Sequence, residues 1–238
     1  MPSKEIELTI LMPCLEETET LAHCIKQADA AVQKDKLNAE VLVANNGGKD
    51  ECYQIASELA DGVVLVEERG YGNALRAGIE AAQGKYIFFA DADGSYDFGR
   101  AKDFYDLAKQ GNDLVIGCRL AAGGGTIEPG AMPFLHRWLG SPFFSSLIRL
   151  LFGAPINDVH CGMRTIKKSF FEELELSSPG MEFASEMIIK ASQFPDKIAE
   201  LPITLYQDKR VNTSPHLRTF VDGWRHLMTY IKFKLRGF

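Results

Sequence analysis

Residues 88–98 read FFADADGSYDF. Two aromatics run into Asp91, one alanine separates it from Asp93, and Gly94, Ser95 and Asp97 follow. The apolar run starts near Lys85, so residues 85–90 read as a buried strand that ends on carboxylates. Carboxylates in that position are costly to desolvate unless something pairs with them. What pairs with them depends on the elements around the strand.

Working outward, similar short apolar runs occupy 6–12, 40–44, 62–66, 113–117 and 197–203. Helical patterns alternate with them. Residues 17–34 place Leu21, Cys24, Ile25 and Ala28 on one face. Residues 51–60 follow Asp50, a suitable N-cap. Residues 73–83 stop at Gly84, a suitable C-cap, and 100–110 carry Phe104, Leu107 and Ala108. The β-α-β-α order predicts an α/β fold, a mainly parallel sheet flanked by helices on both faces. Regularity stops after residue 118. The stretch 121–133, AAGGGTIEPGAMP, reads as a mobile, turn-rich loop. Helices are expected near 138–151, 166–174, 181–193 and 217–235.

The bulk numbers exclude several classes. The chain has 238 residues, 46% hydrophobic and 24% charged, as soluble globular proteins do. A net charge of −6 argues against a nucleic-acid partner bound by bulk charge. Leu205–Phe238 nevertheless holds seven Lys/Arg against two acids, a basic tail on an acidic body. Five cysteines without a C-x-x-C read as reduced thiols in a cytoplasmic compartment. No run reaches the ~18–20 apolar residues that span a bilayer.

Ligands in an open parallel sheet sit beyond the carboxyl ends of the strands. Loops 13–17, 45–50 and 91–97 gather there. Asp91 and Asp93, two residues apart, either supply oxygen ligands to Mg²⁺ or Mn²⁺ or form an Asx-turn capping the next helix. The sequence argues against a dinucleotide site: Pro13, Cys14, Leu15 and Glu16 follow the first strand with no glycine. In RGYGNALRAG (69–78), Gly70 and Gly72 either let the backbone approach an anion at a helix start, helped by Arg69 and Arg76, or form an ordinary tight turn.

The series ILMPCLEE, VLVANNGGKD, RGYGNALRAG, FFADADGSYDF, LVIGCR, DVHCGMR and GMEFASEM, in that order over nearly the whole chain, resembles the family 2 glycosyltransferases of GT-A fold. Within the family it is most similar to the dolichyl/polyprenyl-phosphate sugar transferases. The resemblance implies one GT-A domain over 1–238. Residues 1–118 would bind the nucleotide sugar, 119–204 would bind the acceptor, and 205–238 would form a basic amphipathic segment. It implies an inverting, metal-dependent transfer of a hexose from a GDP- or UDP-sugar to a polyprenyl phosphate. Pro13, Leu15 and Glu17 would cradle base and ribose, and Gly70 would border the donor. Asn45 stands where the family usually has Asp and would contact the nucleoside without a charge. Asp91 and Asp93 would hold Mg²⁺ or Mn²⁺, with Asp93 the direct ligand, and Ser95 stands where relatives often carry a metal-contacting Gln. Arg119 would face phosphates.

By the same resemblance, Asp158 is the candidate base. A phosphate acceptor is already largely ionised at neutral pH, so Asp158 is expected mainly to orient the acceptor or a nearby arginine. Arg164 is the first choice for clamping the acceptor phosphate, ahead of Arg137 and Arg210. His160 and Cys161 read as packing residues. Leu217 to Ile231 form an apolar stripe beside Arg218, Arg225, Lys232, Lys234 and Arg236. That pattern suits either an anionic membrane surface or a helix on the core with a solvated basic face. Relatives often continue into transmembrane helices; an end at KFKLRGF fits a soluble form or a shortened one. Two other functions stay open: transfer to a soluble phosphorylated acid, and nucleotide binding without turnover.

Overall fold

The computed structural model describes residues 5–211 and 219–236. The first half alternates as its apolar runs dictate: β1 (Leu8–Cys14), α1 (Leu21–Asp35), β2 (Ala39–Asn45), α2 (Glu51–Leu59), β3 (Gly62–Leu65), α3 (Tyr71–Ala81), β4 (Tyr86–Phe89), α4 (Ala101–Lys109) and β5 (Leu114–Cys118). The second half follows as β6 (Thr126–Ile127), α5 (Ser141–Phe152), β7 (Arg164–Lys167), α6 (Lys168–Leu174), α7 (Phe183–Ala191), β8 (Ile198–Pro202), β9 (Thr204–Leu205) and α8 (Thr219–Arg236).

Seven strands form one sheet in the order β3-β2-β1-β4-β7-β5-β8. β1 pairs in parallel with β2 and β4, β2 with β3, and β5 with β8. All seven residues of β1 are buried, as a strand covered on both faces requires. Helices α1, α2 and α4 pack as one group, and α3 packs with α7 and the strands. Burial of each large side chain such as Ile10 or Met12 stabilises the sheet by ~1.5–3 kcal/mol. Asp50 caps α2 as expected, accepting from the Tyr53 backbone N–H at 3.0 Å.

Three expectations change. Residues 164–167 are a strand, with the helix confined to Lys168–Leu174. β7 runs antiparallel between β4 and β5, so the sheet is mixed at its centre. Gly84 does not cap α3, which already ends at Ala81. It is glycine because a Cβ there would lie 2.4 Å from the Thr9 backbone nitrogen. The 121–133 loop is pinned instead of lying free: Thr126 and Ile127 pair with Thr204 and Leu205, and Gly125 N–H donates to Leu120 O at 3.1 Å.

α8 shows both faces of the expected pattern. His226, Thr229 and Tyr230 are buried on α7 and α5, while Trp224, Met228 and Leu235 are exposed beside Arg225 and Lys232. Leu217 and Arg218 lie outside the described residues, as does the side chain of Arg236. No helix among the described residues is long and apolar enough to cross a membrane. The five cysteines are all unpaired and buried.

Candidate active site

The carboxyl ends of β1, β2 and β4 open into a cleft of about 1910 Å³. Pro13, Leu15, Glu17, Gly70, Asp91, Asp93, Ser95 and Arg119 border it. β4 delivers Asp91 and Asp93. The carbonyl of the intervening Ala92 accepts from Thr20 Oγ1 at 2.6 Å, which ties this turn to the start of α1. Tyr71 lies beside Asp91 and favours its ionised form, against the raising effect of burial. Gly162 leaves room for it: a Cβ there would stand 2.5 Å from Asp91 Oδ2.

Asp93 Oδ1 accepts from Ser95 N–H at 2.9 Å and Ser95 Oγ at 2.6 Å. Ser95 therefore orients Asp93. Its hydroxyl donates to that carboxylate while its oxygen keeps lone pairs of its own. The Asx-turn and the cation reading thus coexist, because Asp93 Oδ2 faces the cleft side and Arg210 Nη2 at 3.8 Å.

A divalent ion fits this donor set. Asp91 and Asp93 offer hard carboxylate oxygens, and the pair lies in an excess of negative charge with Glu17 and Asp208. Burial, then the charge of Asp93, pushes Asp91 up to about 6. Among the described residues no three His, Cys, Asp or Glu side chains converge as a complete cage. Substrate phosphates and water would complete the shell of Mg²⁺ or Mn²⁺ at such a pair.

Glu17 folds back over Leu15, accepting its backbone N–H, and meets Arg210 Nη1 at 3.6 Å. Burial pushes its carboxyl up from 4.5 to about 7, against the lowering pull of the Leu15 N–H and Arg210. A raised folded-state pKa means that the folded protein holds this proton more tightly. The associated stability is complete below the ordinary glutamate value and is lost as pH rises through about 7. Melts of the ligand-free wild type and Glu17→Gln between about pH 4 and about pH 8 are expected to diverge by about 3 kcal/mol, to the wild type's cost at high pH. Parallel pH profiles would refute the shift.

Arg119 and Asp158 face each other. Asp158 is 0% exposed. It accepts from Arg119 Nε at 2.7 Å, Nη2 at 2.8 Å and the Arg119 backbone N–H at 3.0 Å. Its own backbone N–H is held by Glu200 Oε1 at 2.9 Å. Asp158 does not border the cleft, and its carboxylate is occupied by Arg119.

Arg164 is corrected outright. It is 1% exposed, and its guanidinium donates to Cys161 O at 2.9 Å, Val159 O at 2.9 Å and Ala184 O at 3.1 Å. It fastens the 159–164 turn to α7 and does not face an acceptor phosphate. Arg137 stacks on Trp138, 5.5 Å from the ring centre. Arg210, a weaker candidate on sequence, borders the cleft.

Asn45 is also corrected. It is fully buried, donates to Gly48 O at 2.5 Å and Asp50 Oδ1 at 3.1 Å, and organises its own loop. Its neighbour Asn46 borders the cleft, accepting from Gly70 N–H at 2.7 Å and donating to Val66 O and Glu68 O. The glycines of 69–78 serve packing. A Cβ on Gly70 would lie 2.2 Å from Pro179 O, and that carbonyl also takes the Asn73 N–H at the start of α3. One N–H of this helix start is thereby taken, as the tight-turn alternative has it, while Gly70 still borders the cleft. Arg69 borders the cleft, whereas Arg76 is held by Asn73 Oδ1 at 2.8 Å.

Sequence reading missed Tyr71, Asn46, Gly162 and Asp208. Only Tyr71, inside the glycine motif, carried a local signal. Cys161 packs as expected; His160 packs on His226 with ring centres 4.3 Å apart and also borders the cleft.

A mixed sheet with an acidic pair at the end of its central parallel strand, opposite a held arginine, defines the GT-A class of fold. Glucosyl-3-phosphoglycerate synthase of Mycobacterium tuberculosis, solved with Mn²⁺, UDP and glucosyl-3-phosphoglycerate, superposes with a TM-score of 0.67 at 18% identity, over 96% of this chain and 79% of that one. Mannosyl-3-phosphoglycerate synthase of Rubrobacter xylanophilus gives 0.71 at 16% identity, over 97% and 74%. The chain belongs to glycosyl transferase family 2, whose family model matches residues 9–175. It is 36% identical to the low-salt glycan biosynthesis hexosyltransferase Agl6 of Haloferax volcanii over 92% of its length, and spans only 52% of that relative. It is 28% identical to a dolichyl-phosphate hexose transferase of the same organism, over 83% of this chain and 82% of the relative.

Proposed function

We propose that the chain is a metal-dependent, inverting glycosyltransferase that moves a hexose from a GDP- or UDP-linked sugar to a polyprenyl phosphate. The observation that carries it is the Asp91–Asp93 pair at the end of β4, bordering the same cleft as the Asp158-held Arg119. Membership of family 2 and the names of the Haloferax relatives support it.

An Mg²⁺ or Mn²⁺ ion bound there supplies charge neutralisation for the leaving nucleoside diphosphate. Asp91 and Asp93 would hold the ion, and Ser95 fixes how the Asp93 carboxylate points. Pro13, Leu15 and Asn46 wall the nucleoside end. Arg119, immobilised by Asp158, presents its guanidinium to phosphate oxygens without reorganising. The acceptor phosphate arrives ionised and attacks the anomeric carbon from the face opposite the departing diphosphate, so configuration inverts. Such a nucleophile needs no protein base, which agrees with Asp158 being fully committed to Arg119.

The mouth of the cleft favours a lipid acceptor. Leu135, Leu139, Phe143 and Trp224 border it while largely exposed, and Trp138 beside them is 63% exposed. Arg225 and Lys232 flank this apolar rim on α8. A surface of that kind suits peripheral contact with an anionic membrane, at its cytoplasmic face. Incubation with radiolabelled GDP-mannose, UDP-glucose or UDP-N-acetylhexosamine, polyprenyl phosphate and Mn²⁺ is expected to yield an organic-soluble product. Transfer only to a water-soluble phosphorylated acid, the kind of molecule found with the mycobacterial neighbour, would replace the lipid reading. Nucleotide binding without transfer to either acceptor would remove catalysis.

A further inference from the structure

Arg210 occupies an unusual place for a cleft arginine. Its segment is stitched along the acidic loop: Tyr206 N–H donates to Ser95 O at 2.9 Å, Lys209 N–H to Asp93 O at 3.0 Å, and Val211 N–H to Glu19 Oε2 at 2.7 Å. This backbone pairing drops the Arg210 side chain, only 5% exposed, between three carboxylates. Asp208 holds it with a fork, Nε to Oδ1 at 3.0 Å and Nη2 to Oδ2 at 2.6 Å. Glu17 Oε1 lies 3.6 Å from Nη1, and Asp93 Oδ2 lies 3.8 Å from Nη2. The neighbouring Lys209 does not share the task, since its ammonium meets His23 Nε2 at 3.2 Å. Arg119, which also borders the cleft, is paired with Asp158.

The contacts are unequal, and that inequality is informative. The fork to Asp208 is made at full hydrogen-bond distance, whereas Glu17 and Asp93 are met only at ion-pair distance. The guanidinium is therefore firmly tethered to Asp208 and only loosely set against Glu17 through Nη1 and against Asp93 through Nη2, the nitrogen it shares with the fork. Only Asp93 among its partners is also a proposed cation ligand.

We propose that Arg210 is a built-in counter-cation, which in the donor-free protein fills the electrostatic place of the divalent ion at Asp91 and Asp93 and yields it to an ion arriving with a nucleoside diphosphate. The inference rests on the cation reading of that pair. A bare ion must bring a second positive charge close to the guanidinium and gains no new anion in return. An ion arriving with a nucleoside diphosphate brings oxygens on which the guanidinium can re-pair, and a planar fork suits phosphate. Arg210 is thus a positioning residue that makes metal and nucleotide bind as a coupled pair. The consequence is selectivity: the cleft stays unloaded with metal until a donor is present.

Mn²⁺ titrations followed by electron paramagnetic resonance, with and without saturating GDP or UDP, test this on the whole chain. In the wild type, nucleotide should tighten Mn²⁺ by at least about tenfold, within the ~5–150-fold range of ordinary coupling. In Arg210→Gln, Mn²⁺ alone should bind about tenfold more tightly than in the wild type, and the gain from nucleotide should shrink by a similar factor. Arg210→Lys, which keeps the charge and is the milder change for folding, should leave Mn²⁺ alone as weak as in the wild type. Unchanged or weaker binding of Mn²⁺ alone by Arg210→Gln, or identical behaviour of the Gln and Lys variants, overturns the proposal while nucleotide-dependent Mn²⁺ binding still stands. A wild type that takes up no Mn²⁺ even with GDP or UDP overturns the cation reading itself, and this inference with it.

Discussion

Asp93→Ala is expected to abolish metal-dependent nucleotide binding and to lower transfer by about a thousandfold or more, the scale on which a fixed electrostatic partner of a developing charge acts. The size follows from how many roles Asp93 combines. One oxygen is fixed by the backbone and hydroxyl of Ser95, and the other faces the Arg210 guanidinium. Loss of the carboxylate removes a cation ligand and releases the loop that shapes its neighbour. Asp93→Asn separates the two contributions. It retains an oxygen for Ser95, so the loop survives while the charge is gone. Calorimetry of GDP or UDP with Mn²⁺ should show both variants binding without metal dependence. Wild-type affinity in Asp93→Asn would exclude Asp93 from the cation site.

Asp158→Ala is expected to cost about 3–5 kcal/mol, or a fall in melting temperature of about 10 °C for a chain of this size. The cause is the charge left behind. Arg119 is buried, its side chain only 9% exposed, and the substitution strips its bidentate partner and leaves the guanidinium uncompensated. Transfer should fall as well, because Arg119 loses the fork that aims it. The double variant Arg119→Met/Asp158→Leu distinguishes the two effects. It should recover most of the stability and none of the activity, since an apolar pair of similar volume removes both charges together. A single variant melting within a degree or so of the wild type would show that the pair contributes little to the fold.

The parallel part of the sheet was legible because each strand is a short apolar run followed by a turn and a helical pattern. β7 was not. Arg-Thr-Ile-Lys spans four residues, carries charge at both ends and enters α6 without a turn between them. Nothing local tells such a stretch from the first turn of a helix; its strand form comes from β4 and β5 offering ladder partners on both sides. The acidic pair was legible for the opposite reason, since a buried run ending on two carboxylates poses a local electrostatic problem.

Which arginine serves the cleft was not legible. Arg164 and Arg210 have the same chemistry, and only tertiary packing turns the first toward three carbonyls and the second toward three carboxylates. The Asn45–Asn46 pair shows the same limit at finer scale. Successive residues at a strand end point to opposite sides, so a shift of one position moves a side chain from the cleft into its own loop.

The reversed strand β7 has a consequence for biosynthesis. Both neighbours of β5 in the sheet, β7 and β8, are made after it, so β5 has nowhere to dock while the first half of the chain emerges from a ribosome. β4 meanwhile presents an unpaired edge to its surroundings until Arg164–Lys167 is synthesised. Nascent or prematurely terminated chains therefore carry a bare hydrophobic edge, the kind that recruits chaperones or neighbouring polypeptides. Completion of the central sheet is a late event that closes this window.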